Sequence, residues 1–415
     1  MEKKSALSYT FYRISIAIAV FLAFFLQTFL LVDGTNVFMA YFGGFGWAAT
    51  QVSLPITIGG YIAIVTTFLI GTWLIRHKGR GLMLALFLVT AAATVALAFS
   101  ENAYPLYFIS VIVINIAMGA ALVLMTAIIT NWFSATRGRM LGFVTIGAPF
   151  STAVCVPVIQ RMLMAGTPFR SIFTVLGIAI AVVGALAYAF VPYIPEDVGY
   201  HADNAAERHV ETDTGATSKW SFKDLVKCKE AWFIMLAFGL MMLVSNCVMP
   251  LLFPHFIEIG VNPNTVLNLM TISAIVGIPL SYFWGWLDDK IGTKKACYTL
   301  AIGFLLMSVA MVLAKNGNVV IVAMAVIGIA AVIGGAPNLN PSMIVNVFGA
   351  SEYLNINRWL NIGQNILRLL ALVMMSAIRD LTGSYVPGYV VCVILSIVAL
   401  LFFVGIKKRY SEEAN

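Results

Sequence analysis

The chain has 415 residues, 61% of them hydrophobic and only 10% charged, and its mean hydropathy is +0.94. An ordinary soluble domain of this length carries far more charge, so that class is excluded. The net charge of +7 does not point to nucleic acid, because the basic residues sit in short clusters between apolar runs, where they orient a protein in a membrane.

In chain order, twelve spans are predicted, each a run long enough to cross a bilayer as a helix. The opening MEKKSALSYTFYR leads into an apolar run that continues to about Val32. That is too long for the core of a signal peptide, and no small-residue cleavage site follows, so it reads as an uncleaved first span. The first six spans cover roughly 11–32, 53–75, 81–99, 104–130, 138–160 and 170–192, and the second six roughly 232–256, 265–287, 296–314, 318–343, 354–377 and 386–406. The expected fold class is an all-α polytopic membrane protein of two six-helix bundles, 1–192 and 231–415, joined by a polar linker at 193–230. In the linker, Trp220 to Lys229 suits a short amphipathic helix on the membrane surface.

Lysine and arginine alternate between connections. One set holds Lys3 and Lys4; Arg76, Lys78 and Arg80; Arg137 and Arg139; the linker lysines; Lys290, Lys294 and Lys295; and Lys407, Lys408 and Arg409. The other set holds only Arg161, Arg170, Lys315 and Arg379. Twelve spans with both termini and the central loop cytoplasmic follow from that bias, and a cell inner membrane is the expected location. Two landmarks repeat. Gly71 to Arg80 and Gly285 to Lys294 are offset by 214 residues, and Asn131-Trp-Phe and Asn346-Val-Phe by 215. Both pairs fall at equivalent places in the topology, which argues for two parallel halves.

Polar residues inside spans are few. Span 11 carries Asn357, Asn361, Gln364, Asn365 and Arg368, which at about 100° per residue fall within an arc roughly 100° wide. Arg368 lies about 16 Å before Arg379 along the helix, near the midplane. An intramembrane arginine is a candidate functional residue, with snorkelling or a structural role as the alternative. Gln27, Tyr61, Asn115, Thr126, Ser151, Thr152, Ser245 and Asn246 are weaker candidates, because a Ser or Thr hydroxyl commonly bonds its own helix. Gly334, Gly335, Pro337 and Pro341 interrupt span 10. Asp33, His255 and Glu258 read as charges near span ends in water, leaving no acid in the middle of a span. The five cysteines have no CxxC spacing, the four histidines are scattered, and no phosphate loop or nucleophile motif occurs. No enzyme, metal site or cofactor is expected.

Gly285-Trp-Leu287-Asp-Asp289-Lys290-Ile-Gly292-Thr-Lys294 resembles the G-x-L-x-D-R-x-G-R-K loop of the major facilitator superfamily. Phe45-Gly46-Trp47, Asn131-Trp132-Phe133 and Arg379-Asp380-Leu-Thr-Gly383-Ser-Tyr385 are similar to motifs of its oxalate/formate antiporter and monocarboxylate transporter group. The resemblance implies a secondary transporter working by alternating access, with an inner gate built from Gly285, Asp289, Lys290 and Gly292 near Arg137 and Arg139. The chain departs from the pattern at Ile75, where the family has Asp, and at Ser281, where the oxalate/formate group carries a basic residue. That group's helix 11 lysine falls near Gln364, one turn before Arg368. The expected substrate is therefore a small organic anion with one carboxylate, held by Arg368 with Gln364, Asn361, Asn365, Asn357, Tyr61 and Gln27 around it. The expected partners are this substrate, a counter-substrate or proton, and the lipid bilayer, with the chain acting as a monomer. An exporter of neutral or cationic compounds and a non-transporting membrane sensor are the alternatives.

Overall fold

Backbone groups in lipid have no water to bond, so each apolar run closes its N–H and C=O groups within a helix. The computed structural model describes residues 6–74, 79–133, 136–204, 220, 222–349 and 352–406. Among these, twelve helices are long and apolar enough to cross a bilayer: Tyr9–Gly44, Ala49–Leu74, Arg80–Leu97, Tyr104–Trp132, Met140–Met164, Phe169–Phe190, Lys229–Glu258, Pro263–Ile291, Thr293–Asn316, Val319–Phe348, Asn355–Thr382 and Val386–Gly405. They are spans 1 to 12 below. Pro55, Pro157, Pro279 and Pro341 sit inside helices, as neighbouring helices in a membrane permit. The hydroxyls of Thr90, Thr94, Thr126 and Ser308 donate to the carbonyl four residues earlier in their own helices. The Asn115 amide likewise donates to Val111 O.

Three features depart from the sequence reading. Span 1 continues to Gly44 instead of ending near Val32, because a π-turn at Phe29–Asp33 joins two helical stretches and the polar residues beyond it find partners. Thr152 Oγ1 donates to Asp33 Oδ2 at 2.9 Å, and Gln160 Nε2 donates to Asn36 O at 3.3 Å. The expected inner-gate loop is mostly helix. Span 8 runs on through Gly285, Asp289 and Lys290 and stops at Gly292, whose φ of +85° only glycine adopts readily. The start of the linker is anchored. Tyr193 and Tyr200 are buried, and Asp203 accepts a hydrogen bond from Thr136 Oγ1 at 2.9 Å. Residues 205–219 and 221 lie outside the described residues. The breakers in span 10 do act, dividing it at Gly334 into Val319–Ile333 and Gly335–Phe348.

The chain divides into two compact units. One comprises Met1–Val37 and Pro55–Thr214, the other Phe38–Leu54 and Gly215–Asn415. In the first, Trp132, Tyr107 and Phe87 are fully buried, and Phe169 stacks on Phe173 with ring centroids 4.2 Å apart. The Trp132 indole N–H donates to Pro192 O at 3.0 Å, so the ring is buried with its polar atom satisfied. In the second, Phe238 packs edge-on against Phe403 and His255 against Tyr389. Trp220 packs against Phe348, and its carbonyl accepts from Asn355 Nδ2 at 2.8 Å, which ties the start of the second half to span 11.

Candidate substrate site

The second unit holds the polar face of span 11. Arg368 is thirteen residues past Asn355 and fourteen before Thr382, so about 20 Å of helix lies on either side. Its Nε is buried, and no side chain among the described residues bonds or ion-pairs it. Its carbonyl accepts from Asn246 Nδ2 of span 7 at 3.4 Å, which ties the arginine's backbone to a neighbouring helix. Among the described residues it is the one cation near the middle of a span.

Gln364, one turn earlier, is fully buried. It trades two hydrogen bonds with Asn340 of span 10, Asn340 Nδ2 to Gln364 Oε1 at 3.1 Å and Gln364 Nε2 to Asn340 Oδ1 at 3.2 Å. This pair joins spans 10 and 11 and occupies the Gln364 amide. Asn365 Nδ2 donates to Asn361 O at 2.8 Å, within its own helix, and Asn357 and Asn361 are half-buried. Ser281, where the resembling group carries a basic residue, abuts Gly334, donates to Gly277 O and accepts on its carbonyl from Asn338 Nδ2 at 2.7 Å. It is part of the packing of span 8 against span 10.

Of the residues expected at the inner gate, Asp289 is exposed. With Asp288, Thr293, Ser342, Asn346 and Tyr353 it lines a pocket of about 480 Å³. Lys290 Nζ sits 4.7 Å from the centre of the Trp286 ring. Arg137 and Arg139 belong to the first turn of the helix Arg137–Thr145, and their side chains lie outside the described residues, as does Ile75.

In the first unit, Gln27 and Tyr61 are half-buried on spans 1 and 2. The residue that sequence reasoning misplaced is Asp33. It is 1% exposed, and its partner Thr152 lies twelve residues from either end of span 5, about 18 Å from each. The carboxylate is thus level with the middle of a span. Ser151 lies beside it and no cation pairs it among the described residues. The signal available in the sequence was the π-turn's consequence alone: a polar stretch, Asp33 to Asn36, followed by more apolar helix. His255, also expected in water, is buried in span 7.

Twelve membrane-crossing helices with polar and charged side chains buried at mid-span define a polytopic membrane carrier. Residues 16–371 and 234–415 match the Major Facilitator Superfamily in two overlapping stretches, and the chain belongs to that superfamily of transporters. Its members move solutes and are not enzymes. A bacterial homologue of the human lysosomal transporter Spinster, inward-facing and unoccupied, superposes with a TM-score of 0.70 at 12% identity, covering 99% of this chain and 100% of that one. The same kind of protein in an inward-facing, occupied conformation gives 0.71 at 13% identity, with 97% and 99% covered. At these identities the likeness shows the fold. No curated protein matches the chain.

Proposed function

We propose that this transporter carries a small organic anion with a single carboxylate by alternating access, and that the carboxylate docks on Arg368. The observation that carries the reading is the Arg368 guanidinium, permanently charged and at mid-span, with no acid among the described residues to pair it. Desolvating such a charge is costly, and a carboxylate that accepts two parallel N–H bonds offsets that cost. One cation suits one carboxylate, which sets oxalate aside and agrees with the monocarboxylate side of the resembling group. A buried cation also disfavours the cationic compounds of a drug exporter.

Asp33 supports proton symport over anion exchange. Its carboxyl is buried at mid-span, Thr152 Oγ1 donates to it and no cation among the described residues pairs it, the setting in which an intramembrane acid serves as a proton relay. It takes a proton from one side of the membrane while open to it and releases that proton to the other side once the carrier opens there. Asp289, an acid at the end of span 8, is assigned to the inner gate, and the basic connections support cytoplasmic termini. The test is uptake of radiolabelled acetate, lactate or pyruvate into proteoliposomes. The expected result is accumulation by the wild-type protein and background uptake by Arg368→Ala. Normal carboxylate uptake by Arg368→Ala removes the assignment.

A further inference from the structure

Span 2 begins without a cap of its own. The helix Ala49–Leu74 opens with backbone N–H groups that no turn of the helix satisfies. The residue before it is Ala48, which has no side-chain oxygen to accept from them. Gln51 supplies one half of a capping box, its Oε1 accepting from Ala48 N–H at 2.9 Å. The other half comes from 331 residues downstream. Asp380 Oδ1 accepts from Ala49 N–H at 2.9 Å, and its Oδ2 accepts from Thr50 N–H at 2.8 Å and from the Thr50 hydroxyl at 2.6 Å. A carboxylate at a helix N-terminus also faces the positive end of the helix dipole.

The carboxylate is braced from its own side. Arg379 Nε donates to Glu258 Oε2 at 3.3 Å, its terminal nitrogen is 3.9 Å from Asp380 Oδ1, and Glu258 Oε1 accepts from Tyr385 N–H at 3.1 Å. Spans 7 and 11 and the turn before span 12 therefore hold Asp380 in place. The stretch Phe38–Leu54 belongs to the second unit, while the remainder of span 2 belongs to the first. Both Thr50 bonds to Asp380 lie at the exposed surface. Just beyond them Ser53 is fully buried and Val52 is 1% exposed.

We infer that Asp380 is a releasable clasp: its carboxylate holds the start of span 2 to the end of span 11, and letting go exposes the residues buried behind Thr50. The bonds are charge-assisted and short, so they hold. The two Thr50 bonds are also open to water, which can replace them, so they release at small net cost. A purely structural joint here would bury apolar side chains in place of a solvated carboxylate. Asp380 is twelve residues past Arg368 on one helix, about 18 Å away, so movement of span 11 at the substrate site is felt at the clasp. The inference holds whatever the transporter carries.

The test uses Ser53→Cys, a nearly isosteric reporter at a fully buried position, in protein reconstituted in lipid nanodiscs. Labelling by a water-soluble maleimide is measured against protein without the reporter. Asp380→Asn in that background is expected to label about ten-fold faster, the scale of one lost charge-assisted hydrogen bond. Asp380→Glu is expected to stay near the parent rate. Thr50→Val removes only the hydroxyl bond and should speed labelling roughly three-fold. Parental labelling rates in both Asp380→Asn and Thr50→Val overturn the clasp and leave Asp380 as a static cap. If Asp380→Asn elutes as aggregate, Thr50→Val alone decides, and an unchanged rate there overturns the inference.

Discussion

Replacing Gln364 by leucine cuts both arms of its amide pair with Asn340. The two bonds, 3.1 and 3.2 Å long, join side chains that are 0% and 4% exposed. Interhelical hydrogen bonds inside membranes contribute about 0.6 kcal/mol each, so the pair itself accounts for roughly 1.2 kcal/mol. The larger effect is the Asn340 amide left buried and unpaired, which costs about 1–3 kcal/mol. Gln364→Leu should therefore destabilise by about 2–4 kcal/mol. Asn340→Leu should cost a similar amount. The double variant replaces both amides with apolar groups of like size, so it should recover much of the loss, with a coupling of about 1–3 kcal/mol. Reversible unfolding of the four proteins in detergent measures this cycle. Additive losses would refute the reasoning, because they would mean that the two amides do not depend on each other. Carboxylate uptake adds a second discrimination. If Gln364 only ties span 11 to span 10, the double variant keeps its substrate preference. If its amide also meets the substrate, uptake falls even where stability is restored.

Three further outcomes follow from single contacts. Asp33→Asn should retain carboxylate binding but lose the rise in uptake that an acidic exterior gives the wild-type protein; an unchanged response to an imposed proton gradient would clear Asp33 of coupling. Gly147 lies so close to Phe21 O that a Cβ would clash with backbone, so Gly147→Val should force span 5 off span 1, costing about 1–3 kcal/mol or more, read as a lower unfolding temperature. Thr152→Val removes the 2.9 Å donor to Asp33 while keeping side-chain volume; it should shift the pH dependence of uptake and leave the unfolding temperature within a few degrees.

The twelve spans were legible because a bilayer admits few solutions: a long apolar run becomes a helix, and the basic connections count the crossings. The mid-span position of Arg368 was legible for the same reason, since helix rise converts sequence distance into depth. Asp33 was misread because depth was measured to the end of the apolar run near Val32. The π-turn at Phe29–Asp33 and the partners Thr152 and Gln160 let the helix continue, and those partners lie more than a hundred residues away in sequence. The Gln364 amide was similarly invisible, because periodicity put it on the polar stripe and only packing revealed Asn340 opposite. The signature from Gly285 to Lys294 was recognised as a motif but expected as a loop; its helix persists because nothing before Gly292 breaks it.

The most direct test of the central claim is ligand-induced stabilisation of purified protein, comparing pyruvate with pyruvamide, which has the same size and no charge. The wild-type protein should be stabilised by pyruvate and not by pyruvamide. Arg368→Ala should lose the pyruvate effect, since removing one partner of a buried charge pair costs about 2–5 kcal/mol of binding. Equal stabilisation of wild type and Arg368→Ala by pyruvate, with both proteins folded, would contradict the account.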